Sequence, residues 1–98
     1  MAGVDPSQIK ECAGTGLIVD IQGQAPILNE EGFTIALRAD IDGLKMPENN
    51  PDLPYASKTE YAHMCGHDGH TATLVLAVAL IMKERSTIPA NCKVRLLF

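Results

Sequence analysis

The sequence predicts an α/β fold with its elements in the order β, β, long loop, α, β. Three observations predict it: β-branched runs at Leu17–Ile21 and Phe33–Ile41, an apolar helix-type stretch over Thr71–Arg85, and a Val- and Leu-rich run over Cys92–Phe98. A helix set between two strands in this way is a crossover unit joining parallel strands.

Residues 5–11 read as a short helix, with Asp5 as N-cap and Pro6 at the first helical position, where its missing N–H costs nothing. Leu17–Ile21 is β-branched and lies between Gly16 and the Gln22-Gly23-Gln24 turn, so it is a strand. In Phe33–Ile41, Phe33, Ile35, Leu37, Ala39 and Ile41 alternate with Thr34, Ala36, Arg38 and Asp40, which gives a strand with one apolar face. These two strands are expected to pair as an antiparallel hairpin or meander. Gly43, Pro47, Pro51 and Pro54 then exclude regular structure between Asp42 and His63, and ordered loops of that length are usually functional. The helix over Thr71–Arg85 is apolar nearly all round and should be buried on most sides. Cys92–Phe98 reads as a strand buried on both faces.

With 98 residues, 46% apolar and 20% charged, the chain has the balance of one globular domain. Eight basic against twelve acidic side chains leave a net charge of -4, which offers no excess of positive charge to a nucleic acid or an anionic lipid surface. The longest apolar run, Leu74–Met82, falls far short of the roughly 20 residues a membrane-crossing helix needs. Neither nucleic acid nor membrane is therefore an expected partner. Cys12, Cys65 and Cys92 are odd in number and far apart, which favours free thiols in a reducing compartment, and no secretory signal is visible, so the expected location is cytoplasmic. Two Phe, two Tyr and no Trp leave a thin core. That thin core, with a helix and a closing strand that call for neighbours, leads to the expectation that the chain is part of something longer.

All three histidines and one cysteine fall within His63-Met-Cys65-Gly-His67-Asp68-Gly-His70, where the loop passes into the helix. Thiolate and imidazole suit Zn²⁺ and related cations, and a Cys-x-His pair in extended backbone points both donors to one side. Gly66 and Gly69 would let the chain turn close to an ion. Asp68 either caps the helix or fixes the tautomer of a ligand histidine, and His70 falls on the same helical face as His67. Cys65 as a merely buried thiol and a Cys/His nucleophilic pair are the competing readings, the latter needing a third, orienting group. Asp40 and Asp42 close the second strand, on one face if it stays regular, where they would repel unless a cation or Arg38 intervenes. Asp42-Gly43 read alone is an ordinary turn.

Taken together, Cys12-Ala-Gly-Thr-Gly16, Ile35-Ala-Leu-Arg-Ala-Asp-Ile-Asp-Gly-Leu44, Leu53-Pro-Tyr55 and His63–His70 resemble the N-terminal part of the aminoacylase and carboxypeptidase-type metalloamidohydrolases. The nearest branch is that of hippurate hydrolases, N-acyl-amino-acid deacylases and indoleacetyl-amino-acid hydrolases. The resemblance runs from Lys10 to Phe98, with the motifs in order. It implies a partial three-layer catalytic domain of zinc-dependent exopeptidase-like fold, residues 1–98 being its incomplete N-terminal part. It also implies Cys65 and His67 as metal ligands, Asp42 as the orienting carboxylate, and Asp40, Asp68 and His70 as lining. The cofactors implied are two divalent cations (Zn, Mn or Co) and the substrate a small N-acyl amino acid, in an enzyme that is a homo-oligomer at full length. One departure is Asp42-Gly-Leu-Lys45, where the branch reads Asp-Ala-Leu-Pro. The family's Gln-Pro-x-Glu-Glu segment, which supplies a general base and a further ligand, does not occur in these residues. The chain alone is thus expected to be inactive, with a non-catalytic metal-binding fragment or an inactive remnant as the alternative.

Overall fold

Asp5 does cap a turn: its carboxylate accepts a hydrogen bond from the Ser7 N–H at 2.8 Å, and Pro6 opens a single 3-10 turn over Pro6–Gln8 in the computed structural model, which describes residues 1–98. The chain then leaves that turn as a strand. β1 (Ile9–Cys12) pairs antiparallel with β2 (Gly16–Gln22), a hairpin the sequence reading missed because Ile-Lys-Glu-Cys is short and mostly polar. β3 (Thr34–Arg38) follows, then helix α1 (His67–Glu84), a 3-10 turn over Arg85–Thr87, and β4 (Lys93–Leu97). The observed order therefore has one strand more than expected.

Sheet order is β1-β2-β4-β3. The expected hairpin of the Leu17 and Phe33 runs does not form, because β4 inserts between them, antiparallel to β2 and parallel to β3. The crossover from β3 through α1 to a parallel β4 is as predicted. Insertion is favoured because β4 has an apolar row on each side to match: Val94 and Leu96 stand in register with Ile21 and Val19 on one flank and with Ile35 and Leu37 on the other.

Val19, Ile21, Val94 and Leu96 point to the side covered by α1, where they meet Leu74 and Val78. Val19, Ile21, Leu96 and Val78 are fully buried, each worth about 1.5–3 kcal/mol of transfer free energy. Burial in β4 alternates instead of covering both faces, so that Lys93 and Arg95 lie on the side away from the helix. There Arg95 grips its cross-strand partner Asp20 through two hydrogen bonds of 2.7 and 2.8 Å. The helix is not buried on most sides either: Leu74 and Val78 are covered, while Leu76 and Leu80 remain 60% and 55% exposed. Only ten residues are buried, and the radius of gyration, 16.7 Å, exceeds the roughly 13 Å of a compact 100-residue domain. No helix is long and apolar enough to cross a membrane.

Gly23 shows how tightly the return loop is tied to the sheet. A Cβ there would stand 2.1 Å from the Pro89 carbonyl oxygen, so only glycine lets Gly23 and Ala25 hydrogen-bond to Cys92 and Ile88.

Candidate metal centre

β3 ends at Arg38, three residues sooner than the alternation suggests, and this frees Asp40 and Asp42 from a common face. Asp40 pairs with Arg38 at 2.8 Å. Asp42 reaches across 25 residues of sequence to His67, its Oδ1 lying 2.8 Å from the ring Nδ1. The repulsion expected of two neighbouring carboxylates is relieved because each has its own cationic or hydrogen-donating partner.

From Ala39 to Gly66 the chain forms no helix or strand, as the prolines require, yet it is closed at its neck. Leu44 and Ala62 exchange both backbone hydrogen bonds, at 2.8 and 2.9 Å. Farther out, Glu48 accepts from the Ser57 N–H at 2.6 Å and from the Asn50 side chain at 3.1 Å. The Ser57 hydroxyl in turn donates to the Tyr61 carbonyl, as does that of Thr59 at 3.1 Å.

Gly66 then makes the corner. Its φ of 124° and ψ of 4° lie in a region that L side chains rarely adopt, and α1 begins at the next residue. The helix thus starts four residues before the predicted Thr71, since Gly69 is an ordinary helical position with open space around it rather than a turn. Cys65-Gly66-His67 is bent at Gly66, not extended. Asp68 occupies the first helical turn without capping it, and the N-cap residue is Gly66, so a carboxylate near the positive end of the helix dipole is the remaining electrostatic role of Asp68.

His67 is the best-held side chain of the cluster, 23% exposed against 68% for Asp42. The Asp42 carboxyl lies below the usual aspartate range, first because its own backbone N–H donates to it and next because the His67 ring does. An ionised Asp42 can only accept, so His67 Nδ1 is the donor of this hydrogen bond, and in the neutral ring that tautomer places the lone pair on Nε2. The His70 ring stacks on that of His67, centroids 5.5 Å apart and planes at 29°, as the spacing of three in a first helical turn predicts. Thr71 was not singled out from sequence, but it fastens the corner. Its hydroxyl donates to the His67 carbonyl at 2.8 Å and lies 3.3 Å from that of Asp40, so it spans helix and strand end.

Cys65 is exposed, as is Cys12, whereas Cys92 is buried. Two clefts open beside the helix start. One, of about 530 Å³, lies between Arg38, Asp40, His70 and Leu74; the other, of about 550 Å³, lies inside the loop between Glu48, Tyr55, Tyr61, His63 and Asp68. The structure thus gathers Asp42, His67 and His70, sets Asp40 and Asp68 on the two clefts, and leaves His63 on the loop side.

A cysteine thiolate and an imidazole nitrogen are donors that suit a borderline-soft divalent cation, and in that sense Cys65 and His67 fit one. They are only part of a donor set, for no three His, Cys, Asp or Glu side chains, Asp42, His67 and His70 included, are arranged to hold a metal ion.

A mixed sheet crossed by one helix, with a thiol and a carboxylate-held imidazole at the helix start, is the architecture of a partial α/β peptidase domain. The chain belongs to peptidase family M20/M25/M40, whose family model matches residues 36–98. It is 46% identical over 85 residues to the N-acetyl-L-cysteine deacetylase of Bacillus subtilis (strain 168), covering 86% of this chain and 18% of that protein. An N-acetylcysteine deacetylase of the same strain is 38% identical over 91 residues, covering 92% of this chain and 21% of that protein. The crystal structure of the Bacillus subtilis YXEP protein, described as a dinuclear metal-binding peptidase of the M20 family, superposes with a TM-score of 0.71 at 36% identity. That match covers 92% of this chain and 24% of the YXEP chain. The chain spans about a fifth of the length of the curated relatives it matches.

Proposed function

We propose that these residues are the N-terminal part of the catalytic domain of a metal-dependent amidohydrolase that cleaves the amide of small N-acyl amino acids. The observation that carries this reading is the 2.8 Å contact of Asp42 with His67 Nδ1, which would leave Nε2 as the ligating nitrogen of the imidazole. Membership of the M20/M25/M40 family and likeness to deacetylases of N-acetylcysteine support the reaction class.

In this proposal Cys65 and His67 hold a divalent cation, one of two in the complete site, as in the dinuclear YXEP peptidase. Such a cation supplies Lewis acidity, activating water and polarising the amide carbonyl. Asp42 keeps His67 in the ligating tautomer, and its ionised carboxylate raises the basicity of the imidazole. His70 limits rotation of the His67 ring by stacking on it. None of the residues described serves as general base, so proton transfer at the leaving amine is assigned to residues outside these 98. The free cysteines fit a cytoplasmic setting, and the complete enzyme is proposed to be a homo-oligomer.

Metal content and hydrolysis of a panel of N-acyl amino acids, measured on the complete gene product, test this. Cys65→Ala or His67→Ala is expected to remove most of the metal and nearly all activity, while Cys12→Ala and Cys92→Ala do neither. Equal losses from all three cysteine changes would assign the effect to folding and sink the ligand assignment. A second reading, a cation held without turnover, is kept because zinc sites need three or four protein ligands and no group of three forms among these residues. Cation binding that depends on Cys65, with no hydrolysis of any panel member, would favour it.

A further inference from the structure

The loop between Asp42 and His63 carries a site residue at its start and leads into Cys65 and His67 at its end, so whatever closes it also sets their spacing. We propose that Glu48 is a positioning residue, the latch that holds this loop closed and so keeps Asp42 beside His67. The proposal rests on the metal-site reading only for its metal readout.

The geometry forms a ring of hydrogen bonds. Glu48 accepts from the Ser57 N–H at 2.6 Å, the Ser57 hydroxyl donates to the Tyr61 carbonyl, and Tyr61 precedes Ala62, which is bonded to Leu44 at 2.8 and 2.9 Å. Leu44 stands two residues beyond Asp42, which closes the circuit. Within it the carboxylate bond is the charge-assisted one, and such bonds are roughly twice as strong as neutral ones. Both Glu48 oxygens are occupied, the second by Asn50, which makes the group a brace rather than a free acid. The only other side-chain tie between the two limbs, Lys45 to Glu60 at 3.3 Å, is 69% and 64% exposed, and pairs so exposed contribute little. Without Glu48, the outer limb is held by the neck alone.

The test compares Glu48→Ala and Glu48→Gln with wild type in the complete gene product. Three readouts are used: tryptic cleavage after Lys45 and Lys58, the His67 imidazole nitrogen resonances, and Co²⁺ affinity read from the thiolate-to-cobalt absorption of Cys65. Glu48→Ala is expected to raise cleavage at least tenfold, to broaden or shift the His67 Nδ1 resonance, and to weaken Co²⁺ binding about 10- to 100-fold. The melting transition of the sheet should be retained. Glu48→Gln should recover most of this, because its amide oxygen can still accept from Ser57. Cleavage or Co²⁺ affinity within a factor of about two of wild type in Glu48→Ala overturns the proposal, the Co²⁺ comparison being set against the range expected for residues supporting a ligand. A wild-type protein with no Cys65-dependent cobalt band defeats the metal-site reading instead. The latch is then decided by the cleavage rate and the His67 resonance, an unchanged value of either counting against it.

Discussion

Ile35 and Leu37 of β3 stand in register with Val94 and Leu96 of β4, so the four form two side-by-side pairs of similar aliphatic residues on adjacent strands. Yet Val94 and Leu96 are 9% and 0% exposed, while Ile35 and Leu37 are 49% and 36% exposed. The difference is one of neighbours, since β4 has a strand on each flank and α1 above it, whereas β3 has a partner on one side only. Apolar alternation thus states which face wants to be covered, and position in the sheet decides whether it is.

The largest effect expected from this contrast is at the centre. Leu96→Ala should cost about 2–5 kcal/mol of unfolding free energy, because it opens a cavity among Val19, Ile21 and Val78. Denaturant unfolding measures it, and a cost below that of Ile35→Ala would mean that the edge, not the centre, carries the core.

Just past the edge strand, Asp42→Asn should leave stability nearly untouched while lowering turnover about 10- to 100-fold, the range for residues that orient a ligand. Kinetics and a thermal melt on one preparation check both halves. Turnover within a factor of about two, well below that range, would return Asp42 to the role of a turn residue.

The Asp20–Arg95 pair, on the far side of the sheet centre, gives a smaller, pH-dependent effect. The Asp20 carboxyl is held below the usual aspartate range chiefly by its hydrogen bonds from Arg95. A depressed folded pKa contributes stability that is present above the unfolded value, about 3.9, and is lost as the pH falls through the folded value. Asp20→Asn should therefore lower the melting temperature at neutral pH, and the gap to wild type should shrink as the pH drops below about 4. A gap that stays constant down to pH 3 would refute this assignment.

Smallest is Leu80→Gln on the exposed flank of α1, expected to change stability by no more than about 0.5 kcal/mol while reducing binding of a hydrophobic dye. A loss comparable to that of Leu96→Ala would show that this flank is covered in solution.

Much of this arrangement is legible in the sequence, and the gaps have physical causes. β-branched residues at Leu17–Ile21 and the prolines between Asp42 and His63 speak for themselves, because propensity and ring geometry act locally. Strand adjacency does not, since nothing in the period-2 pattern of Phe33–Ile41 says whether it will lie beside β2 or β4. The helix start was misplaced because Gly69 looks like a breaker, whereas the conformation that requires glycine is at Gly66. In the site, clustering picked out Cys65, His67 and His70. Asp42 enters as an orienting carboxylate only through the family resemblance, since Asp42-Gly43 alone looks like a turn, and its partner His67, 25 residues on, is named by the structure and not by the sequence. Glu48 and Ser57 carried no cue beyond residue types that commonly brace loops.

The place of β4 in the sheet also governs time. Ile18 faces Leu97 and Gln22 faces Lys93, so the strand at the middle of the sheet is synthesised after every strand it joins. On a ribosome the β1–β2 hairpin can form early from local contacts, but the outer edge of β2 stays open until residues 93–97 emerge. These four strands therefore close together only when β4 arrives, and throughout that wait the nascent chain displays a strand edge to which a chaperone, or another copy of itself, would bind.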